Sequence, residues 1–148
     1  RGSGRYEELG SPPLLPLLML DTGQAVDTLS YNARLDLGAV QRLAATTRVA
    51  LDWLREGIQR HNPTAIGAAA TLSAISYQAI SYHPLLPQAE TWAATTGAVG
   101  IVRAHSGSLV GLLYEPDVNL MEPAGWLADR FDGLILQTDL TGGGCLLV

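Results

Sequence analysis

The spacing of apolar and polar positions changes several times along this chain. Residues 14–20, L-L-P-L-L-M-L, form a short apolar run between Pro12-Pro13 and Asp21-Thr22-Gly23. A run of that length between turn residues predicts a buried strand. Pro16 has no main-chain N–H to donate, which predicts a strand at a sheet edge or one that starts late. From Leu37 the period lengthens. Val40, Leu43, Thr47, Leu51, Leu54 and Ile58 recur at helical steps, and Gln41, Arg42, Arg48, Asp52, Arg55, Glu56 and Gln59 fill the other face. This is the stripe of one long amphipathic helix, with Asp36 as its N-cap and His61-Asn62-Pro63 as its end. Asn62 then caps a second helix with Pro63 at its first position. Its stripe is Ile66, Ala69, Ser73, Tyr77 and Ile80, and Gly67, Ala68, Ala69 and Ala70 predict close packing against a neighbour. His83-Pro84 is its expected stop. A third helix is predicted from Leu86 to Thr96, with Gly97 as its C-cap.

Beyond Gly97 the pattern is that of strands. A-V-G-I-V-R-A at 98–104 and L-V-G-L-L-Y at 109–114 are joined by His105-Ser106-Gly107-Ser108, which predicts a hairpin. A short helix follows across 122–130, then a strand at 134–140, then Thr141-Gly142-Gly143-Gly144 before C-L-L-V. One strand, a block of helices, a hairpin, a helix and a strand predict an α+β two-layer sandwich. Its sheet is expected to be mostly antiparallel, with helices packed on one face, and the ferredoxin-like arrangement is the expected form. Residues 1–13 read as a connector and 14–148 as the domain.

Composition narrows the chemistry. At 148 residues, 47% hydrophobic and 16% charged, the chain has the make-up of one folded domain. The net charge is -5 and all nine basic residues are Arg. Without Lys there is no P-loop and no Schiff-base chemistry. The few cations also exclude a dense nucleic-acid-binding face. Cys145 is the single cysteine, so no intrachain disulfide forms. His61, His83 and His105 are scattered and predict no metal site. No apolar run reaches membrane length and no signal peptide opens the chain, so the expected location is cytoplasmic. The first residue is Arg, which suggests a domain excised, processed or trimmed from a longer polypeptide.

Three segments carry candidate chemistry. Asp21-Thr22-Gly23 closes the first strand, with Asp27, Thr28 and Asn32 close behind. Such residues make ordinary turns, or they sit at a rigid strand end facing a ligand. An aspartic-protease reading needs a second apposed carboxylate motif, and the chain has no second copy. At A-H-S-G-S, 104–108, a plain hairpin turn competes with an anion-facing set of main-chain N–H groups. In the second reading the Ser106 and Ser108 hydroxyls add donors, and His105 contacts substrate or moves a proton. The G-x-S-x-G pattern of a serine elbow is absent. At T-G-G-G-C, 141–145, close approach by a ligand competes with a simple turn or tail, and Cys145 reads as a small hydrophobe. Glu7, Glu8, Asp52, Glu56 and Asp129 read as solvated surface. Trp53, Trp92 and Trp126 read as core or interface anchors.

Two of these segments, with the helical block between them, carry a resemblance. L-D-T-G-Q-A-V-D-T-L-S-Y-N and G-A-V-G-I-V-R-A-H-S-G-S-L-V-G-L-L-Y resemble the C-terminal domain of the GHMP kinase superfamily. More narrowly they look like its L-threonine kinase branch, associated with cobalamin synthesis and propanediol utilisation. The resemblance spans nearly the whole chain. It implies a small-molecule kinase that moves the γ-phosphoryl of ATP, with Mg²⁺, to a hydroxyl, in that branch L-threonine. It implies that Ser106, Gly107 and Ser108 match the superfamily's third motif beside the nucleotide phosphates. Asp21, Gly23, Asp27 and Thr28 match the acceptor side, where His105 is a further substrate contact. The second motif, P-x-x-x-G-x-G-S-S-A, is absent, and so is the acidic residue that acts with it. The resemblance therefore implies that the catalytic residues lie in an N-terminal domain absent from this chain, and that the chain alone is inactive. That domain is its implied partner, and a homodimer through the exposed interdomain face is expected of the severed piece. The alternative is a non-catalytic ligand-binding or protein-interaction module of ferredoxin-like fold.

Overall fold

The computed structural model describes residues 7–24, 27, 29, 36–104 and 107–141. Its elements are β1 (Leu15–Asp21), α1 (Leu37–Arg42), α2 (Ala44–Gln59), α3 (Pro63–Tyr77) and α4 (Leu86–Thr96), followed by β2 (Gly100–Arg103), β3 (Leu109–Leu113), α5 (Met121–Ala128) and β4 (Leu134–Leu140). The four strands form one sheet in the order β2-β3-β1-β4, and every neighbouring pair is antiparallel. β1 and β2 thus run parallel with β3 between them, the split β-α-β arrangement of the ferredoxin-like fold. The α+β class and the antiparallel sheet are as the sequence predicts.

The strand pleat sorts the core. Leu18 and Leu20 of β1, Ile101 of β2 and Val110 and Leu112 of β3 point to one face, against Leu86, Ala89 and Trp92 of α4 and Leu127 of α5. On the other face Leu15 and Leu113 meet Ile58 of α2 and Ile66 of α3 in a smaller cluster. α3 lies along the β2 edge of the sheet. A Cβ on Gly67 would run into the main chain of Val99, and one on Gly100 into that of Gly67. The close packing predicted from the small residues of α3 is therefore a helix-to-strand contact. Thr71 seals the edge, its Oγ1 accepting from Ile101 N at 2.9 Å, so the strand's outward donor is satisfied.

Three local expectations change. β1 is a central strand, not an edge. It tolerates Pro16 because that residue sits second in the strand, where its carbonyl accepts from Tyr114 N at 2.9 Å just past the end of β3. The missing N–H faces the same place, where no ladder partner is required. The single long helix is two helices, α1 and α2. At Leu43 the backbone sits at φ -81, ψ -5, and its N–H is shared between Ala39 O at 3.3 Å and Val40 O at 3.1 Å. That shared bond tightens the turn and restarts the helix. α3 ends at Tyr77, ahead of His83, in a run of i→i−3 bonds from Gln78, Ala79 and Ile80. The caps fall where predicted. Asp36 accepts from Gly38 N and Asn62 from Ala65 N, and Gly97 is left-handed at φ 75. Ahead of β1, Glu7 lies against α2, with Arg55 Nε donating to its Oε1 at 2.9 Å.

Candidate functional site

The C-terminal ends of β1 and β2 and the N-terminal starts of β3 and β4 meet at one end of the sheet, where Asp21 pairs with both Leu109 and Leu134. Asp21 is the last residue of β1, so a rigid central strand fixes its carboxylate. Gly23 follows with φ 69, a left-handed backbone that favours glycine, and donates its N–H to Asp21 Oδ1 at 2.9 Å. Ser108, just ahead of β3, donates its hydroxyl to the same oxygen at 2.6 Å. The two sequence-predicted segments, 21–28 and 104–108, are thereby joined through Asp21 and Ser108, 87 residues apart. The Ser108 hydroxyl first and the Gly23 N–H second hold the Asp21 carboxyl below its ordinary range, against a smaller upward push from desolvation. Asp21 is therefore an anion at neutral pH.

The hydroxyl of Ser108 has one proton, and it is committed to Asp21. In this arrangement Ser108 braces the turn against the Asp21 carboxylate. Gly107 closes the turn: a Cβ there would stand 2.9 Å from the Ala104 side chain. Ala104 N donates to Leu109 O at 2.9 Å and completes the hairpin ladder. Asp27 is exposed and accepts from Leu29 N at 3.0 Å, the local cap that its turn reading predicts. Thr28, Asn32, His105, Ser106 and residues 142–145 lie outside the described residues.

Composition and motif gave no signal for a second layer behind the hairpin. Gln78, Ser81 and His83 come from the α3–α4 loop, and Arg103 ends β2. Arg103 Nη1 donates to Gln78 Oε1 at 2.7 Å and to Ser81 O at 2.9 Å, and the guanidinium lies 5.4 Å from the centre of the Tyr77 ring. Gln78 Oε1 also accepts from His83 N at 2.6 Å, and Gln78 Nε2 donates to His83 O at 3.1 Å. His83 is only 6% exposed. Burial pushes its ring below the ordinary histidine value, and the Arg103 charge pushes the same way. The nearby main chain of Ser108 and Gly107 pulls it partly back. The sequence reading placed His83 only as a helix stop.

Among the described residues no three His, Cys, Asp or Glu side chains stand together as a metal-holding group. No helix among them is long and apolar enough to cross a membrane. An apolar groove of about 370 Å³ lies between α2, α3 and the sheet, and a more polar hollow of about 280 Å³ lies between α4 and α5. Neither is lined by Asp21 or Ser108.

No family model matches the chain. Two curated relatives do. The chain is 30% identical over 115 residues, 78% of its length, to an L-threonine kinase of Citrobacter freundii. It is 33% identical over 107 residues, 70% of its length, to an L-threonine kinase of Salmonella typhimurium. Among solved structures, the fold matches L. major mevalonate kinase in complex with R-mevalonate with a TM-score of 0.67, 14% identity and 94% of this chain covered. It matches homoserine kinase from Cytophaga hutchinsonii with a TM-score of 0.57, 16% identity and 91% covered. The chain belongs to the GHMP kinase superfamily, as a domain of its C-terminal type.

This GHMP kinase domain covers 40% and 35% of the lengths of the two L-threonine kinases, and 46% and 44% of the two solved chains. At 14% and 16% identity those two structures share its fold, while the curated relatives share its sequence. Of the two resembling segments, 20–32 and 97–114, Asp21, Gly23 and Ser108 meet in one corner of this domain.

Proposed function

We propose that this domain is one wall of the active-site cleft of an ATP-dependent kinase, and that the acceptor is the hydroxyl of a small amino acid, first of all L-threonine. The observation that carries this reading is the Asp21–Ser108 hydrogen bond, which assembles the two resembling segments at one end of the sheet. The identity to two L-threonine kinases supports the choice of acceptor.

The roles follow from the chemistry of the corner. Gly107 presents main chain without a side chain, which lets a phosphate approach the N–H groups of the turn. In this reading the turn of Ser106, Gly107 and Ser108 lies beside the nucleotide phosphates, and Ser108 acts through its brace to Asp21. The Asp21 carboxylate, held ionised, suits the ammonium end of an amino acid through a charge-assisted hydrogen bond. Gly23, Asp27, Thr28 and His105 complete the acceptor side. Bound ATP with Mg²⁺ supplies the phosphoryl group and offsets the charge on its oxygens. The phosphate-binding loop and the acid–base group belong to an N-terminal domain, the partner across the cleft, and no catalytic residue or metal ligand is assigned here. Without that domain, an exposed apolar face including Leu134 and Leu136, 55% and 45% exposed, pairs with a second copy. The parent enzyme is cytoplasmic and serves cobalamin synthesis.

The test is acceptor-dependent ADP formation by the full-length protein with ATP, Mg²⁺ and L-threonine, compared with homoserine. ADP released only in the presence of a hydroxy amino acid supports the reading. No acceptor dependence with any of them overturns it.

A further inference from the structure

We propose that Cys145-Leu146-Leu147-Val148 fill the apolar groove between α2, α3 and the sheet. The groove holds about 370 Å³, and its wall includes Ala50, Leu51 and Leu54 of α2, Ala69 and Ala70 of α3 and Leu140 of β4. An apolar cavity of about 150 Å³ admits one benzene-sized group, so this groove has room for more than one aliphatic side chain. Of its lining side chains only Thr47 and Ser73 carry a hydroxyl, and the rest are apolar. The groove also adjoins the smaller core cluster, because Leu140 packs against the group of Leu15, Ile58, Ile66 and Leu113. An apolar occupant would therefore extend a core that the fold already has.

The chain itself supplies that occupant. Leu140 is both the last residue of β4 and part of the groove wall, so the strand delivers the main chain to the groove. Next come Thr141-Gly142-Gly143-Gly144 and then Cys145-Leu146-Leu147-Val148, of which 142–148 lie outside the described residues. The glycine run permits a main-chain reversal without steric cost, and four residues reach at most about 3.6 Å each. The four residues after the glycines are all apolar, as the wall is. The lengths agree as well. Thr47 and Leu54 mark the extremes of the α2 wall, about 10 Å apart at 1.5 Å per helical residue. That is the length of about three residues of extended chain. On this proposal Thr141-Gly142-Gly143-Gly144 is a turn that feeds the apolar segment back onto the domain.

Cys145 is the single cysteine of these 148 residues, so its alkylation reports on this segment. The experiment maps iodoacetamide labelling of Cys145 by mass spectrometry in the full-length protein, native and unfolded in urea, and in two variants. Leu146→Asp combined with Leu147→Asp removes the apolar anchors. Ser73→Arg, at an exposed lining position, obstructs the groove without entering the core. A filled groove predicts native labelling at least about tenfold slower than in urea, since burial of one Leu outweighs a tenfold shift in population. It predicts rates near the unfolded value in both variants. In the native protein, methyl NOEs from Leu146 or Leu147 to Ala70 are expected within one molecule. Native labelling as fast as in urea overturns the proposal. So does slow labelling that Ser73→Arg leaves unchanged, which puts the segment elsewhere. If Ser73→Arg fails to fold, the NOEs decide. Their absence, or their appearance only between two differently labelled copies, overturns the proposal.

Discussion

Asp21 Oδ1 accepts the hydroxyl of Ser108 at 2.6 Å and the N–H of Gly23 at 2.9 Å. One carboxylate oxygen thus holds together the end of β1, the turn that follows it and the start of β3. Because both donors favour the ionised form, the folded-state pKa is lowered. The linked stability is fully present above the ordinary Asp value of about 3.9 and is lost as pH falls through the folded pKa. Ser108→Ala removes the larger of the two causes. The Asp21 carboxyl, followed by carbon NMR titration, is expected to move back up toward its ordinary value, with Gly23 still keeping it below.

His83 gives a second pH dependence with a different window. Its folded pKa is depressed by burial and by Arg103, so the unfolded chain takes up the proton first. Its contribution is complete above about pH 6.5 and is lost progressively as pH falls from there toward the folded value. Denaturant melts between pH 7.5 and 5 are expected to show falling stability in the native protein. The slope flattens in His83→Gln, which has no titrating ring.

The packing of α3 on β2 sets a steric prediction. Gly67 and Gly100 bring two backbones together with no room for a Cβ on either. Gly67→Ala forces the helix off the strand and disturbs the Thr71 bond to Ile101. Overpacking of a close contact costs about 1–3 kcal/mol. The midpoint in urea should fall accordingly, and a variant as stable as the native chain would mean that α3 does not lie on β2 in this way.

The helix caps give a milder case. Asn62 accepts from Ala65 N at 3.1 Å ahead of Pro63. Asn62→Ala is expected to cost about 1 kcal/mol, read from the same urea curves.

Much of this was legible in the sequence. The run 134–140 and the helix from Leu86 to Thr96 have the boundaries that their periodicity and caps predict. The small residues of α3 announced a close contact, though not which neighbour filled it. β1 is central although Pro16 predicts an edge, since a missing donor demands an edge only where it would face the body of a neighbouring strand. Here it faces the end of one. The break at Leu43 carries no Gly or Pro and comes from a shared main-chain bond, which leaves no mark on residue pattern. At the site, Asp21 and Ser108 were each singled out, but their contact spans 87 residues and is a product of strand register. Gln78, His83 and Arg103 stayed hidden for the same reason. Their hydrogen bonds join a loop to a strand end, and no short motif records them.

The central claim is that this domain supplies one wall of a kinase cleft. The most direct measurement is ADP formation with ATP, Mg²⁺ and L-threonine by two samples at equal concentration: the full-length protein and the 148-residue chain alone. The account predicts threonine-dependent turnover in the first and none in the second. Turnover by the chain alone, or none by the folded full-length protein with any hydroxy amino acid, would contradict it.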